Sequence, residues 1–295
     1  MIYNYELNAV MLAIQQKITA MLKGVRKMAL KFKLRQVAFK YHYLIEKLNS
    51  KHELNEFLKQ FRTHYISCDL IRIGGDGDGG YLLPNIFEKV SYCFSPGVDY
   101  TANFEKELSD KFNIKSFMAD ASVVSAPLSD SNFDFIPKFL GAHSRDNFIT
   151  LSDWLIQNNL QNDTNLLLQM DIEGGEYDVL SYEDSSTLAS FSAMVVEFHN
   201  LQKLFERDFL RMVSAIFEKI YKNFSICHVH PNNCCGMASL DGIEIPRIIE
   251  VTFIRNDLLD NFANEKSLTL PHPLDSKNIE KNDDICMPIK WWKKE

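Results

Sequence analysis

The sequence lacks the features that would place it in a membrane or secreted class. No window reaches about 18 consecutive apolar residues, the length that a membrane-spanning helix needs. The N-terminus, MIYNYELNAV, does not have the basic-then-apolar pattern of a secretory signal. None of the six cysteines forms a C-x-x-C pair, so we expect reduced thiols, mainly in the core. Together these absences predict a cytoplasmic protein.

Acidic residues are absent from one long stretch, between Glu6 and Glu46. Residues 1–65 contain 12 Lys or Arg and 4 Asp or Glu, a net charge of +8, whereas the whole chain carries −7 and the remainder therefore −15. Apolar residues recur in this region at helical spacings of three, four and seven, at Met21, Val25, Met28, Phe32, Phe39 and Tyr43. The pattern predicts a basic amphipathic helical arm over 1–65. We assign the rest, 66–295, to a second domain with its core at 90–255 and a C-terminal tail at 256–295.

A basic amphipathic helix can lie on anionic lipid, contact nucleic acid or pack against a partner subunit. A helical cap or oligomer arm with a solvated basic face explains the pattern equally well. We expect no nucleic-acid partner. Peripheral membrane contact and homo-oligomerisation both stay open.

Only one stretch is rich in glycine, LIRIGGDGDGGYLLP. Its glycines fit the dinucleotide pattern G-x-G-x-x-G, at Gly75, Gly77 and Gly80. That fingerprint must open a helix, whereas this stretch continues as Tyr-Leu-Leu-Pro, and Asp76 and Asp78 would repel a pyrophosphate. We predict a glycine-rich turn or hairpin folded over a ligand. A nicotinamide-dependent oxidoreductase stays as the alternative and requires a helix directly after Gly80.

From residue 90 onward the sequence alternates strand-like and helical segments. Strands are expected at 90–98, 114–120, 165–171 and 192–198, and helices at 101–112, 151–160, 175–189 and 201–221. Thr101 is the expected N-cap of the first helix, and Thr150 or Ser152 that of the second. Two further strands, at 224–230 and 247–255, have no helix between them. This order predicts a mainly parallel sheet that ends in an antiparallel hairpin.

Polar groups stand at the carboxyl ends of the predicted strands, where open parallel sheets bind ligands. They are Ser95 to Gly97, Asp120, Asp171 with Glu173, Glu197 with His199, and His228 with His230. A ribose needs a carboxylate to accept from its hydroxyls, and an acceptor alcohol needs a group that takes its proton. Glu176 and Asp178 are expected only to complement a helix dipole. His228 is expected to point away from His230, into packing.

The run Asp171 to Glu176, DIEGGE, resembles the D-x-E-G-x-E signature of FkbM-type S-adenosylmethionine-dependent methyltransferases, and FITLSDWL resembles the lead-in to it. Five more blocks resemble a branch of that family in the same order: RIGGDGDGGYLLP, CFSPGV, VVEFHNL, HVHPNN and IEVTFIR. The resemblance spans about residues 70–255. The first strand departs from the common methyltransferase pattern, because it ends in SPGV rather than in E-x-G-x-G.

The resemblance implies a Rossmann-like class I methyltransferase fold with a mainly parallel seven-stranded sheet and S-adenosylmethionine as cofactor. It implies O-methylation of a sugar hydroxyl, in a surface polysaccharide or a nucleotide-sugar. The implied cofactor-binding residues are Gly80, Tyr81, Ser95, Gly97, Asp120, Ala121 and Asp171. The implied catalytic residues are Asp171, Glu173, His199 and His230.

Two ways of activating the acceptor hydroxyl stay open. His199 could act as a general base, or a Mg²⁺ or Mn²⁺ ion held by Asp171, Glu197 and His199 could lower the pKa of the hydroxyl. A third reading is a non-catalytic binding protein that keeps the sheet and uses the basic arm at a membrane or a partner.

Overall fold

The computed structural model describes residues 27–42, 45–263 and 268–294, and it divides the chain into two units, Met1–Leu48 and Asn49–Glu295. In the first unit residues 27–40 are helical, and the apolar side chains of Met28, Phe32 and Phe39 are exposed. Met21, Val25 and Tyr43, also part of the predicted apolar pattern, lie outside the described residues. Within the described ranges, no helix is long and apolar enough to cross a membrane.

Helix α1 (Lys51–Thr63) belongs to the second unit and not to the arm. Ser50 and Glu53 form a capping box at its start, and the helix buries Leu54, Leu58 and Phe61 in the core of the second unit. The structure thus divides the chain after Leu48, whereas we predicted the division after residue 65. Charge alone misplaced it, because α1 carries charged residues of both signs on its exposed face while its other face is core.

The main sheet has seven strands: β3 (Tyr92–Pro96), β4 (Lys115–Ala119), β5 (Phe133–Ile136), β8 (Leu166–Met170), β9 (Phe191–Phe198), β10 (Phe224–Pro231) and β13 (Ile249–Arg255). Their spatial order is β10, β13, β9, β8, β3, β4, β5. All neighbours pair in parallel except β13, which is antiparallel to both β9 and β10. The predicted seven-stranded, mainly parallel sheet with antiparallel terminal strands is confirmed.

The remaining strands form two-stranded sheets: β1 (Leu70–Ile73) with β2 (Tyr81–Pro84), β6 (Phe139–Leu140) with β7 (Phe148–Ile149), and β11 (Met237–Leu240) with β12 (Ile243–Pro246). β1 and β2 form an antiparallel hairpin whose turn is the glycine-rich stretch. The predicted hairpin is confirmed. Strand β2 begins directly after Gly80, so the helix that the oxidoreductase alternative requires is not there.

The remaining helices are α2 (Asn103–Phe112), α3 (Leu151–Gln157), α4 (Glu176–Tyr182), α5 (Ser185–Leu188), α6 (Arg207–Tyr221), α7 (Leu259–Phe262) and α8 (Ile289–Trp292), with 3₁₀ turns at Phe87–Lys89, Leu201–Phe205 and Asn256–Leu258. Thr150 caps α3 as predicted, and Asp153 N–H donates to its hydroxyl. The predicted cap Thr101 is wrong, because the N-cap position of α2 is Ala102 and no side chain caps it.

Two hydrophobic clusters cover the two faces of the sheet. Successive residues of β8 alternate between them, with Leu168 in the cluster of α1, α3 and α6 and Leu167 in the cluster of α2 and the β1–β2 hairpin. The continuous apolar run of β8 therefore reflects burial on both faces.

The C-terminal segment, residues 268–294, packs against the core of the second unit, to which it belongs. Trp291 is fully buried, its ring contacts Phe57 and Phe61 of α1 edge-on, and its indole N–H donates to Glu244 O. Earlier in this segment, Asn278 bridges Asp78 and Glu250. The segment thus contacts both the glycine-rich turn and the sheet.

The cysteines differ in part from the sequence expectation. Cys68, Cys93 and Cys227 are buried free thiols, as expected, and Cys286 is an exposed one. The expectation of reduced thiols is wrong for Cys234 and Cys235, which form a disulfide between adjacent residues.

Candidate functional site

A cavity of about 500 Å³ opens at the carboxyl ends of β3, β4 and β8. This volume lies within the range of ordinary small-molecule sites. Five of the predicted site residues line it: Tyr81, Gly97, Asp120, Asp171 and Glu173. The rest of the predicted set lies outside the described lining: Gly80, Ser95, Ala121, Glu197, His199 and His230.

Gly97 lets two strand ends come together. It has φ +85°, and a Cβ built on it would lie 1.6 Å from the carbonyl oxygen of Asp171. We expected this glycine to admit the cofactor, but the close approach that the structure contains is to the backbone of Asp171. Gly97 N–H donates to Ala119 O at the end of β4, and Asp171 N–H, just after β8, donates to Pro96 O at the end of β3. The ends of β3, β4 and β8 therefore meet at Gly97.

Asp120 follows β4 and is almost fully buried at the wall of the cavity. Its Oδ2 accepts from Asp99 N–H at 2.9 Å, and its Oδ1 accepts from the N–H and the hydroxyl of Ser122 at 2.7 and 2.6 Å. These donors fix the carboxylate rigidly. Oδ2, which accepts only one of these three bonds, keeps acceptor capacity for a further donor, such as a hydroxyl.

Ser95 lies behind the cavity in a buried polar network. Its hydroxyl is within hydrogen-bonding distance of Glu105 and of Gln169, and Gln169 Nε2 donates to the Tyr81 hydroxyl. Burial raises the pKa of Glu105, although the hydrogen bond from Ser95 acts against the rise. Ser95 therefore positions Glu105 and Gln169, which line the cavity and which the sequence analysis missed.

The DIEGGE loop is organised by Glu176, its last residue. Glu176 is fully buried, and its Oε1 accepts from Ile172 N–H at 3.2 Å and Gly174 N–H at 3.1 Å. The same oxygen lies 3.0 Å from Nδ1 of His199. Our expectation that Glu176 only complements a helix dipole is wrong, because its side chain turns back into the loop. Asp178 is exposed on α4, as a dipole-complementing residue would be.

His199 follows β9 and faces the acids of this loop. Because an ionised carboxylate can only accept, Nδ1 next to Glu176 carries the hydrogen, so in the neutral ring Nε2 presents its lone pair. Nε2 lies 3.5 Å from Glu173 Oε2, 3.8 Å from Asp171 Oδ1 and 3.9 Å from Glu197 Oε1. Burial opposes protonation of the ring, but the hydrogen bond and charge of Glu176, together with the charges of Asp171 and Glu173, outweigh it and raise the pKa of His199.

A group of ligand atoms from Asp171, Glu173 and His199 lies within 4.8 Å of one another. The predicted metal ligands Asp171 and His199 belong to this group together with Glu173, and the third predicted ligand, Glu197, lies 3.9 Å from His199 Nε2 outside it. Glu173 has φ +57°, which turns it toward His199, whereas Glu197 Oε1 accepts from Asn232 Nδ2 at 2.8 Å. Burial raises the pKa of Asp171 to about 7, with the charges of Glu173 and Glu176 adding to the rise and His199 opposing it. A cation between these groups would favour the ionised carboxylate.

His230 lies away from the cavity, on β10, and it pairs in register with Glu250 of β13. The expectation that His228 points away from His230 is wrong. Residues two apart on a strand share a face, and both rings face Asp275 of the C-terminal segment, at 2.8 Å from His228 Nε2 and 3.6 Å from His230 Nδ1.

The charge of the cavity wall is negative. It carries carboxylates at Asp78, Asp99, Glu105, Asp120, Asp171 and Glu173, and the described lining contains no Lys or Arg. Such a wall fits a ligand with cationic groups, for example a sulfonium and an ammonium. It does not fit the pyrophosphate of a nicotinamide dinucleotide, which needs donors or cations.

An α/β fold with a seven-stranded, mostly parallel sheet and a ligand cavity at its strand ends is consistent with the methyltransferase class. Residues 107–223 match the family model described as Methyltransferase FkbM domain. This match confirms the resemblance seen in the sequence and supports a methyltransferase that uses S-adenosylmethionine. The matched residues include Asp120, the DIEGGE loop and His199, but not Gly97 or His230. A comparison with curated proteins finds no match.

Proposed function

We propose that the protein transfers a methyl group from S-adenosylmethionine to a hydroxyl of a sugar, in a surface polysaccharide or a nucleotide-sugar precursor. The observation that carries the proposal is the acid-lined cavity whose wall residues Asp171 and Glu173 also flank Nε2 of His199. The cavity supports the choice of cofactor, and the fixed imidazole supports a hydroxyl acceptor.

Different residues of the cavity lining would contact the ribose, the adenine and the methionine part of the cofactor. Asp120, with spare acceptor capacity, would accept from the ribose hydroxyls. The apolar residues Val98, Leu140 and Phe148 would contact the adenine, whereas Ala121, which we expected there, lies outside the lining. Asp78 and Asp171 would face the cationic methionine end. When bound, the cofactor supplies an electrophilic methyl group.

The residues around His199 would prepare the acceptor. Nucleophilic attack forms the O–CH₃ bond and breaks the S–CH₃ bond, and the proton of the hydroxyl must go to a base. His199 Nε2 would accept that proton. Glu176 fixes the tautomer through Nδ1 and stabilises the imidazolium that results.

Asp120→Asn should weaken binding of S-adenosylhomocysteine at least about tenfold, because a charge-assisted hydrogen bond to a ribose hydroxyl contributes about 1.5–3 kcal/mol. Isothermal titration calorimetry measures this, with NAD and NADP titrated in parallel. Ser122→Ala is the matched control, since it removes one donor to Asp120 and keeps the carboxylate. Unchanged affinity in Asp120→Asn would disprove the ribose assignment, and tight NAD binding would disprove the proposed cofactor.

A divalent ion at Asp171, Glu173 and His199 would activate the hydroxyl in a second way, and the oxygen-rich donors suit Mg²⁺ or Mn²⁺. If the ion is required, EDTA should abolish methyl transfer and Mn²⁺ should restore it. Glu173→Gln should then weaken Mn²⁺ binding, measured by electron paramagnetic resonance, more than Glu197→Gln does. Undiminished turnover in EDTA together with its loss in His199→Ala would leave His199 as a metal-free base.

We propose that the arm contacts anionic membrane. Residues 27–40 contain five Lys or Arg and no acid, together with exposed apolar side chains. Removal of residues 1–48 should abolish co-sedimentation with phosphatidylserine vesicles at low salt and leave the affinity for S-adenosylhomocysteine unchanged. High salt should weaken the sedimentation of the full chain, since it screens the lysines. A truncated protein that changes from oligomer to monomer, with vesicle binding unaffected, would instead identify the arm as an assembly element.

A further inference from the structure

A second cluster of metal-ligand side chains lies apart from the methyltransferase cavity. His228 and His230 come from β10, and Asp275 comes from the C-terminal segment. The two histidines are 3% and 5% exposed, and the Asp275 side chain is 7% exposed. None of the three residues lines the cavity.

The geometry of this cluster is that of a preformed site. Asp275 Oδ1 lies 2.8 Å from His228 Nε2 and 3.6 Å from His230 Nδ1, and one ligand atom from each residue lies within 4.8 Å of the others. Donors placed about 2.1 Å from a common ion are separated by similar distances. The other oxygen of Asp275, Oδ2, accepts from His272 N–H at 2.7 Å, which orients the carboxylate.

His230 indicates that a ligand is needed here. Both of its ring nitrogens are buried and have no hydrogen-bond partner among the described residues. A buried polar group without a partner destabilises the fold by about 1–3 kcal/mol, so native proteins rarely leave one. Coordination through Nδ1 would satisfy this nitrogen.

We propose that His228, His230 and Asp275 bind a divalent transition-metal ion that fixes the C-terminal segment to β10. Two imidazoles and one carboxylate suit Zn²⁺, Fe²⁺ or Co²⁺ better than Mg²⁺ or Ca²⁺, which prefer oxygen ligands. Three residues after Asp275, Asn278 donates to Glu250 and to Asp78 of the cavity wall. The ion would thus hold the part of the segment that contacts the cofactor cavity.

Zn²⁺ titration of the EDTA-treated full chain, in competition with a chromophoric chelator, tests the site. Asp275→Asn and His230→Gln should each lower the affinity at least about 100-fold, because loss of outer-shell partners alone lowers it 10- to 100-fold. Urea denaturation of each metal-free variant separates ligand loss from misfolding. Asp283→Asn, an exposed acid of the same segment, is the matched control, and His199→Gln excludes the cluster at the cavity. Both should leave this Zn²⁺ affinity unchanged.

Trypsin cleavage at the exposed Lys281 gives a second measurement. Zn²⁺ should slow cleavage of the wild-type chain and have no effect on His230→Gln. Absence of tight Zn²⁺ binding, or equal binding in the wild type, Asp275→Asn and His230→Gln, would overturn the proposal. His228 and Asp275 would then form an ordinary buried hydrogen-bonded pair.

Discussion

Gly97→Ala should prevent the native arrangement of the cavity and destabilise the protein by more than about 4 kcal/mol, the upper end of ordinary single substitutions. The added Cβ would lie 1.6 Å from a backbone carbonyl oxygen of Asp171, a residue that its own N–H fixes to Pro96 O at the end of β3. Urea denaturation and titration with S-adenosylhomocysteine should show both losses.

Gly75→Ala is the matched control for this steric argument. Gly75 has φ +86°, nearly the same backbone conformation, but its added Cβ would meet nothing within 4 Å. Gly75→Ala should therefore lower the free energy of unfolding only by the conformational penalty of a positive φ, about 1–2 kcal/mol. If the two variants lose equal stability, the contact with Asp171 is not what requires glycine at position 97.

Glu176→Ala should be the most damaging change within the DIEGGE loop. It leaves Nδ1 of His199 without its acceptor in a buried place, and the N–H groups of Ile172 and Gly174 without theirs in a partly buried one. At about 1–3 kcal/mol for each unsatisfied donor, we expect the free energy of unfolding to fall by at least about 3 kcal/mol. Urea denaturation measures the fall, and Asp178→Ala, on the exposed side of the same helix, should change it little.

Glu176→Gln separates the hydrogen bonds from the charge. Its amide oxygen can still accept from the loop, so most stability should remain. The pKa of His199 should fall, because the Glu176 charge helps to raise it. In the wild type, a raised pKa means that protonated His199 stabilises the fold below about pH 6.5 and that this contribution disappears as the pH rises through the folded-state pKa. NMR titration of His199 in EDTA-treated protein tests this, and an unchanged pKa would contradict the role of Glu176.

The main elements of the sheet could be predicted because their signals are local. The apolar run of β8 and the alternation of strands with helices follow from burial on two faces and from helical periodicity. The arm boundary could not be predicted from charge, since α1 has charged residues of both signs on one face and is buried on the other. The spacing of the cysteines did not predict the disulfide between Cys234 and Cys235.

For the candidate site, the sequence by itself determined which polar residues follow the strands, because strand ends are local features and parallel strands end at one edge. Asp120, Asp171 and Glu173 were identified in this way, and all three line the cavity. Only the tertiary structure decided how side chains from distant segments combine. Glu176 turns inward to His199, Glu173 rather than Glu197 joins Asp171 and His199, and Asp275 reaches two histidines 45 and 47 residues earlier in the chain. These pairings depend on loop turns and on the path of the C-terminal segment, which are set by long-range packing and leave no periodic pattern in the sequence.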